Sequence, residues 1–236
     1  MKQSGTSIRL TGAVQDLASE VVSALRGGDH LPLGDSLLGR DETGPSGDLT
    51  LAAVRVLGAD VLLPNVLRSV PSDPDDLAVV RKAVKAFPPS ADASPTSLWS
   101  HWAMERALPR SAAPLDGARA DGTEPGAEWL DEAPWQFLTH QLAVLAPLAL
   151  PAEDCAVARA ARRRPVDVAR GFVRAVRRRD WLQAAGAGRW LTVLDGVPET
   201  LGLESGLAFV AQMGGDDPRV ALQVQAARLL PAGAPA

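Results

Sequence analysis

Apolar side chains recur every three or four positions along most of the sequence, the spacing that places them on one face of an α-helix. The first run begins near Thr11, a potential N-cap, and ends at Gly27 and Gly28. Its apolar positions are Val14, Leu17, Val21, Val22 and Leu25. Residues 29–48 are rich in Gly, Asp and Pro without a period and predict a loop.

Two short apolar helices are predicted next, at 49–57 and 60–70, separated near Gly58. Pro64 argues against the second, because a proline in a helix interior costs about 3 kcal/mol. A clearer start follows at Asp73-Pro74, since proline in the first turn loses no needed hydrogen bond. Ser94-Pro95 repeats this signal ahead of a helix that is predicted to reach residue 108.

The helical pattern is dense beyond residue 127. It predicts helices at 128–133, 135–149, 152–163, 165–179, 181–195, 200–213 and 218–230. No run alternates apolar and polar residues between turns, as a half-buried strand would. The predicted fold class is therefore all-α, either an irregular multi-helix bundle or a short array of helical hairpins over residues 128–230.

Breaks in the pattern predict the domain organisation. Residues 1–108 form an N-terminal helical region and 128–230 a C-terminal one, followed by a tail at 231–236. The aperiodic segment 109–127 is either a linker or a long surface loop within one continuous domain. From residue 165 to 230 the helices form two pairs of about 33 residues, a spacing similar to HEAT-like and tetratricopeptide-like arrays. The segment 217–222 resembles the start of a HEAT-type helix, although the signature residues of tetratricopeptide units are missing.

The amino-acid composition favours helices and indicates in which cellular compartment the protein is expected. Ile occurs once and Tyr is absent, so residues that favour strands are under-supplied. The single cysteine excludes an internal disulfide and fits a reducing compartment. No signal peptide is evident, and the most apolar run, 142–150, is shorter than the roughly 20 residues that a membrane span needs. We therefore expect a cytoplasmic protein without a membrane partner.

Charge is distributed unevenly. Ten of the 21 arginines lie between 159 and 189, where only two aspartates oppose them, so this segment carries +8 and the remainder −12. Within it, Arg170, Arg174, Arg177 and Arg178 are candidate binding residues. Arg170, Arg174 and Arg177 are predicted to lie on a helix face opposite the apolar positions Val166, Ala169, Phe172, Val173 and Val176.

The arginine face admits three interpretations. It could bind an acidic peptide or phosphates, because guanidinium groups hold oxyanions bidentately. It could also be a solvated face paired with acidic residues of the same chain, such as those in 121–132. Nucleic acid is a weaker alternative, because the pI is about 5.4 and no aromatic side chains interleave with the arginines for base stacking.

Other candidate chemistry is sparse. His101 and Glu105 are four residues apart, a spacing that can ligate a metal or support acid–base catalysis, with His140 as a third member. No established metal, nucleotide or cofactor motif accompanies them, so we expect neither a metal nor a cofactor. Trp99 and Trp102 are one helical turn apart and present either a binding surface or a core anchor.

The sequence therefore favours a non-catalytic helical scaffold or protein-binding protein that acts in a cytoplasmic complex. Its contact residues would be the four arginines and the Trp99/Trp102 surface, and its partner a protein or peptide with an acidic surface. The alternative is a small accessory enzyme of a biosynthetic assembly that uses His101, Glu105 and His140. A weaker alternative is phosphate or nucleic-acid binding through 159–189.

Overall fold

The computed structural model describes residues 2–27, 45–111, 123–151 and 153–230. In these ranges every regular element is a helix and no β-strand occurs, so the all-α prediction is confirmed and the architecture is a multi-helix bundle. Contacts divide the chain into two compact units, residues 1–123 and 124–236. The boundary falls inside the segment 109–127 that the sequence marked as a linker or long loop.

Unit 1 contains five α-helices among its described residues. They are α1 (Lys2–Gly27), α2 (Pro45–Leu57), α3 (Leu63–Arg68), α4 (Pro74–Ala86) and α5 (Pro95–Ser111). Helix α1 packs against α2, α2 against α4, and α4 against α5. The apolar positions that predicted α1 are all buried, which confirms that its stripe faces the core of this unit.

The start of α1 differs from the prediction. Thr11 lies inside the helix, where its hydroxyl donates a hydrogen bond to the carbonyl oxygen of Ser7 (3.0 Å) rather than capping the N-terminus. Of the predicted loop 29–48, residues 29–44 lie outside the described residues. Residues 45–48 form the first turn of α2, which begins at Pro45.

A 3₁₀ turn, Gly58–Leu62, separates α2 from α3. Gly58 has φ +69°, a left-handed conformation that favours glycine, so the predicted break is confirmed. Pro64 occupies the first turn of α3, where its missing N–H needs no partner. Within the described residues, the stretch Gly47–Arg68 has the length and composition of a membrane span, yet half of it is buried inside the fold.

Unit 2 is built from six α-helices and three 3₁₀ turns among its described residues. The helices are α6 (Trp135–Val144), α7 (Ala156–Arg162), α8 (Pro165–Arg177), α9 (Trp181–Leu191), α10 (Leu203–Gly214) and α11 (Pro218–Leu229). The 3₁₀ turns are Glu128–Leu130, Ala146–Leu148 and Glu199–Leu201. The predicted helix 128–133 is thus a single turn, and the predicted helices 135–149 and 152–163 are shorter than expected.

Helix α9 is the centre of unit 2. It packs against α6, α8, α10 and α11, and every residue from Ala184 to Leu191 is buried. Small side chains allow this approach: a Cβ atom on Gly186 would lie 2.6 Å from the carbonyl oxygen of Ala143 on α6. Trp190 fixes the same contact, because its indole N–H donates to the carbonyl oxygen of Leu142 (2.6 Å).

Candidate functional site

Eight of the ten arginines of the basic segment 159–189 fall into two groups with different surroundings. The other two are Arg179, which is exposed, and Arg189, which is fully buried and donates to the amide oxygen of Gln223 (2.9 Å). The first group, at 159–164, is paired with acids of unit 2. Arg159 contacts Glu124 (3.3 Å) and Asp154 (3.1 Å), and Arg163 contacts Asp131. These contacts tie the segment that precedes α6 to α7 and to the turn after it. The interpretation in which arginines pair with acids of 121–132 therefore holds for Arg159 and Arg163, whereas Arg162 pairs with Asp154 (3.5 Å).

Arg164 has the most extensive contacts of the first group. Its guanidinium lies 2.7 Å from a carboxylate oxygen of Asp167 and donates to the carbonyl oxygens of Leu130 (3.1 Å) and Ala133 (2.7 Å). Only 20% of the Arg164 side chain is exposed. Five N–H donors in a fixed fork suit this combination of carboxylate and carbonyl acceptors. Arg164 is therefore a structural residue.

The second group lines a groove of about 760 Å³ on the outer face of α8. Three elements form it: α8 along its length, Trp135 at the start of α6, and the 3₁₀ turn Glu199–Leu201 with the proline before it. The lining residues are Trp135, Val166, Ala169, Arg170, Val173, Arg174, Arg177, Arg178, Pro198, Thr200 and Leu201. All four arginines that the sequence singled out lie here.

The apolar residues of α8 are divided between two faces, and part of the prediction was wrong. Val168, Phe172 and Ala175 are buried, whereas Val166 and Val173 are 47% and 37% exposed and lie in the groove with the arginines. Two apolar stripes run along α8 in neighbouring registers, and periodicity alone could not separate the buried one from the exposed one. The arginine face is therefore mixed, with valines between the guanidinium groups.

The groove arginines have few partners within the fold. Arg170 is 63% exposed and lies 3.4 Å from Asp167, a carboxylate that Arg164 already holds more closely. Among the described residues, Arg177 and Arg178 are exposed and have neither an acidic partner nor a hydrogen bond through the guanidinium. The guanidinium groups of Arg177 and Arg178 are therefore available to a ligand.

Arg174 is positioned by an aromatic ring. Its guanidinium carbon lies 5.7 Å from the centroid of the Trp135 ring, within the range of a cation–π contact. Stacking restricts the side chain while leaving its N–H donors free to point into the groove. Trp135 and the 198–201 wall were not predicted as site residues, because they reach the groove through tertiary packing and carry no local motif.

Trp99 and Trp102 lie in unit 1 and are buried. Trp99 is fully buried and Trp102 is 7% exposed, and their rings meet edge to face with centroids 5.1 Å apart. Trp102 also packs beneath the guanidinium of Arg106, at 5.8 Å. The pair anchors the core of unit 1, one of the two roles that the sequence left open, and presents no open aromatic surface there.

Of the three candidate catalytic residues, His101 and Glu105 lie together in unit 1, 3.6 Å apart. Burial lowers the pKa of His101, Glu105 opposes this effect, and Arg55 adds to it. His140 belongs to unit 2, where its Nδ1 lies 3.3 Å from the amide oxygen of Gln183. In the described part of the chain, no three His, Cys, Asp or Glu side chains are grouped to hold a metal ion.

The groove on α8 is consequently the site that joins exposed charge, a concave surface and side chains brought together from three elements. It offers bidentate donors for oxyanions beside apolar surface, and among the described residues its lining holds no nucleophile with a neighbouring base. No protein-family model, curated protein or solved structure shows significant similarity to this chain.

Proposed function

We propose that this protein is a non-catalytic helical scaffold of a cytoplasmic complex, and that it binds another protein through the groove on α8. One observation carries the proposal: some arginines of the basic segment are paired with acids of the same unit, whereas others are exposed in the groove without such a partner. Arg159, Arg163 and Arg164 belong to the paired set. Arg177 and Arg178 are exposed in the groove and, among the described residues, have no acidic partner.

The dimensions and charge of the groove suit an anchoring segment of a partner. Its volume of about 760 Å³ is within the range of small-molecule sites, roughly 300–1,000 Å³, so the groove would hold a few side chains of a protein partner. Residues 124–236 contain 12 arginines, no lysine and 13 acidic residues, so the unit has a net charge of −1 and its positive potential is local to the groove. A local cationic surface selects an acidic feature of a partner rather than a long polyanion.

Nucleic acid is disfavoured as the main partner by the same features. A module that binds a single strand combines a continuous basic track with aromatic side chains on which bases stack. Trp135 is the single aromatic residue in the groove lining, and its ring already contacts Arg174. A partner that offers carboxylates satisfies the arginines without needing further rings.

Charge reversal of the groove tests the proposal. We expect R170E/R174E/R177E to retain the helical circular dichroism spectrum and to lower the recovery of partner proteins from native lysate about tenfold, because three like-charge repulsions replace three attractions. The matched control is R81E/K85E/R228E, which reverses three exposed cations outside the groove. Equal recovery by the wild type, the groove variant and the control would refute the proposal.

A further inference from the structure

We infer that the ligand of the groove is an acidic amphipathic helix of the partner protein, with carboxylates and aliphatic side chains on one face. The inference rests on the proposed function and specifies the chemistry that the site recognises. It follows from the order of the side chains on α8, from their spacing and from the walls of the groove.

Apolar and cationic side chains alternate along one face of α8. Val166, Arg170, Val173 and Arg177 follow one another at spacings of four, three and four residues, so they form one stripe that alternates apolar and cationic groups. A purely anionic ligand would leave both valines exposed to water. A purely apolar ligand would desolvate two arginines without giving them partners, which is costly. Both kinds of group are needed on the ligand.

The spacing favours a helical ligand over an extended one. Arg170 and Arg177 are seven residues apart, or about 10.5 Å along the helix axis at about 1.5 Å per residue. A second helix packed along α8 repeats on one face at that interval, two turns apart. An extended strand covers the distance in about three residues, and the side chains at its two ends then point to opposite faces. A helix therefore matches the interval between the two arginines more closely than a strand does.

The walls of the groove favour a peptide over a membrane surface. The groove lining joins Val166 and Val173 of α8 with Trp135, Pro198 and Leu201 from two other elements, so the apolar surface is concave rather than projecting. A bilayer would need apolar side chains that project from a cationic surface. A helix packed along α8 would contact side chains of all three elements. The contact between Arg174 and Trp135 holds one cation at the rim before binding, which reduces the entropy lost on association.

Designed peptides test the inference with the whole protein. The probe is an 18-residue helix, about 27 Å long, with Glu and Leu on one face. One comparison peptide has the same composition with the two residue types scattered around the helix, and another has Gln in place of Glu. We expect the probe to bind with a Kd below about 0.1 mM and about tenfold more tightly than either comparison peptide. R174E/R177E should weaken binding about tenfold, and R81E/K85E should leave it unchanged.

Each other outcome overturns the inference. A probe that fails to bind at about 0.1 mM, or binds no better than its scattered isomer, shows that the mixed stripe does not select an amphipathic acidic helix. Binding of vesicles rich in phosphatidylserine, of single-stranded DNA or of polyphosphate in preference to the probe assigns the groove to phosphate. If the probe fails while R170E/R174E/R177E still loses partners from lysate, the inference falls and the proposed function stands. If that variant also keeps its partners, both fall.

Discussion

The role of each arginine in this chain depends on the groups that surround its guanidinium. Arginines close together in the sequence therefore have different roles. Arg164 and Arg177 are both arginines of α8 or its N-terminal boundary. The first is held by Asp167 and three backbone carbonyl groups, those of Leu130, Asp131 and Ala133, whereas the second is exposed in a groove. The sequence showed the concentration of charge but not this division. Arg159 and Arg163 are paired in part with acids more than thirty residues away along the chain, Glu124 and Asp131, which no local sequence pattern reveals.

Cys155 provides a prediction at the residue scale. The thiol is fully buried, and burial is the main cause that raises its pKa from 9.0 to about 11, with smaller contributions from Glu153 and Glu124. We expect Ellman's reagent to react with the native protein far more slowly than with the unfolded chain, because the reactive thiolate is not populated at neutral pH. Reaction of the native protein at the rate of a free thiol would contradict this assignment.

The raised pKa of Cys155 also makes the free energy of unfolding depend on pH. The folded state favours the neutral thiol, so this contribution to the free energy of unfolding is complete below pH 9.0 and is lost as the pH rises towards 11. The sequence shows only that two carboxylates, Glu153 and Asp154, directly precede the cysteine. The larger cause of the raised pKa, burial of the thiol, is known only from the fold.

At the scale of elements, helix α9 shows how small residues position the site. Gly186 brings its backbone against α6, and Gly171 on α8 lies where a Cβ atom would be 2.1 Å from the side chain of Thr139. The close approach of α6 to α8 sets Trp135 beside Arg174. The wall and the floor of the groove therefore depend on glycines that lie outside it.

Substitution of Gly186 is predicted to destabilise unit 2. We expect Gly186→Ala to lower the free energy of unfolding of unit 2 by about 1–3 kcal/mol, because its Cβ would collide with the backbone of Ala143. The matched control is Gly12→Ala in α1, where no atom of the described residues lies within 4 Å of the added Cβ. There we expect a gain of about 0.5–1 kcal/mol from the lower flexibility of alanine. Urea denaturation followed by circular dichroism measures both, and a Gly186→Ala protein as stable as the wild type would contradict the account.

Helix boundaries with a local chemical signal were predictable from the sequence. Asp73 and Asp217 each cap the helix that begins at the following proline and accept a hydrogen bond from a backbone N–H, at 2.8 Å and 3.0 Å. The Arg219 side chain also bonds to Asp217 and holds the pKa of that carboxyl below its usual value. Where no such cap exists, as at Thr11, the true start lay upstream and the prediction was wrong.

At the scale of the whole molecule, the fold class was predictable because it depends on a pattern that is repeated many times, so single errors of boundary do not change it. The groove was predictable only in part. Its four arginines are marked by local charge, whereas Trp135, Thr200 and Leu201 reach it from separate elements. A site assembled from three elements has no signature in any one stretch of sequence. The HEAT-like or tetratricopeptide-like array remains a prediction.

Hydrogen exchange with and without the acidic amphipathic peptide tests most directly whether the groove is the binding site. Bound peptide should slow the exchange of backbone amides in three segments, at the start of α6, along α8 and at 198–201, since these surround the groove. Unit 1 should exchange at unchanged rates, and R174E/R177E should show no slowing in any segment at the same peptide concentration. Slowed exchange in α1 to α5 with none in α8 would contradict the account, because the peptide would then bind somewhere other than the groove.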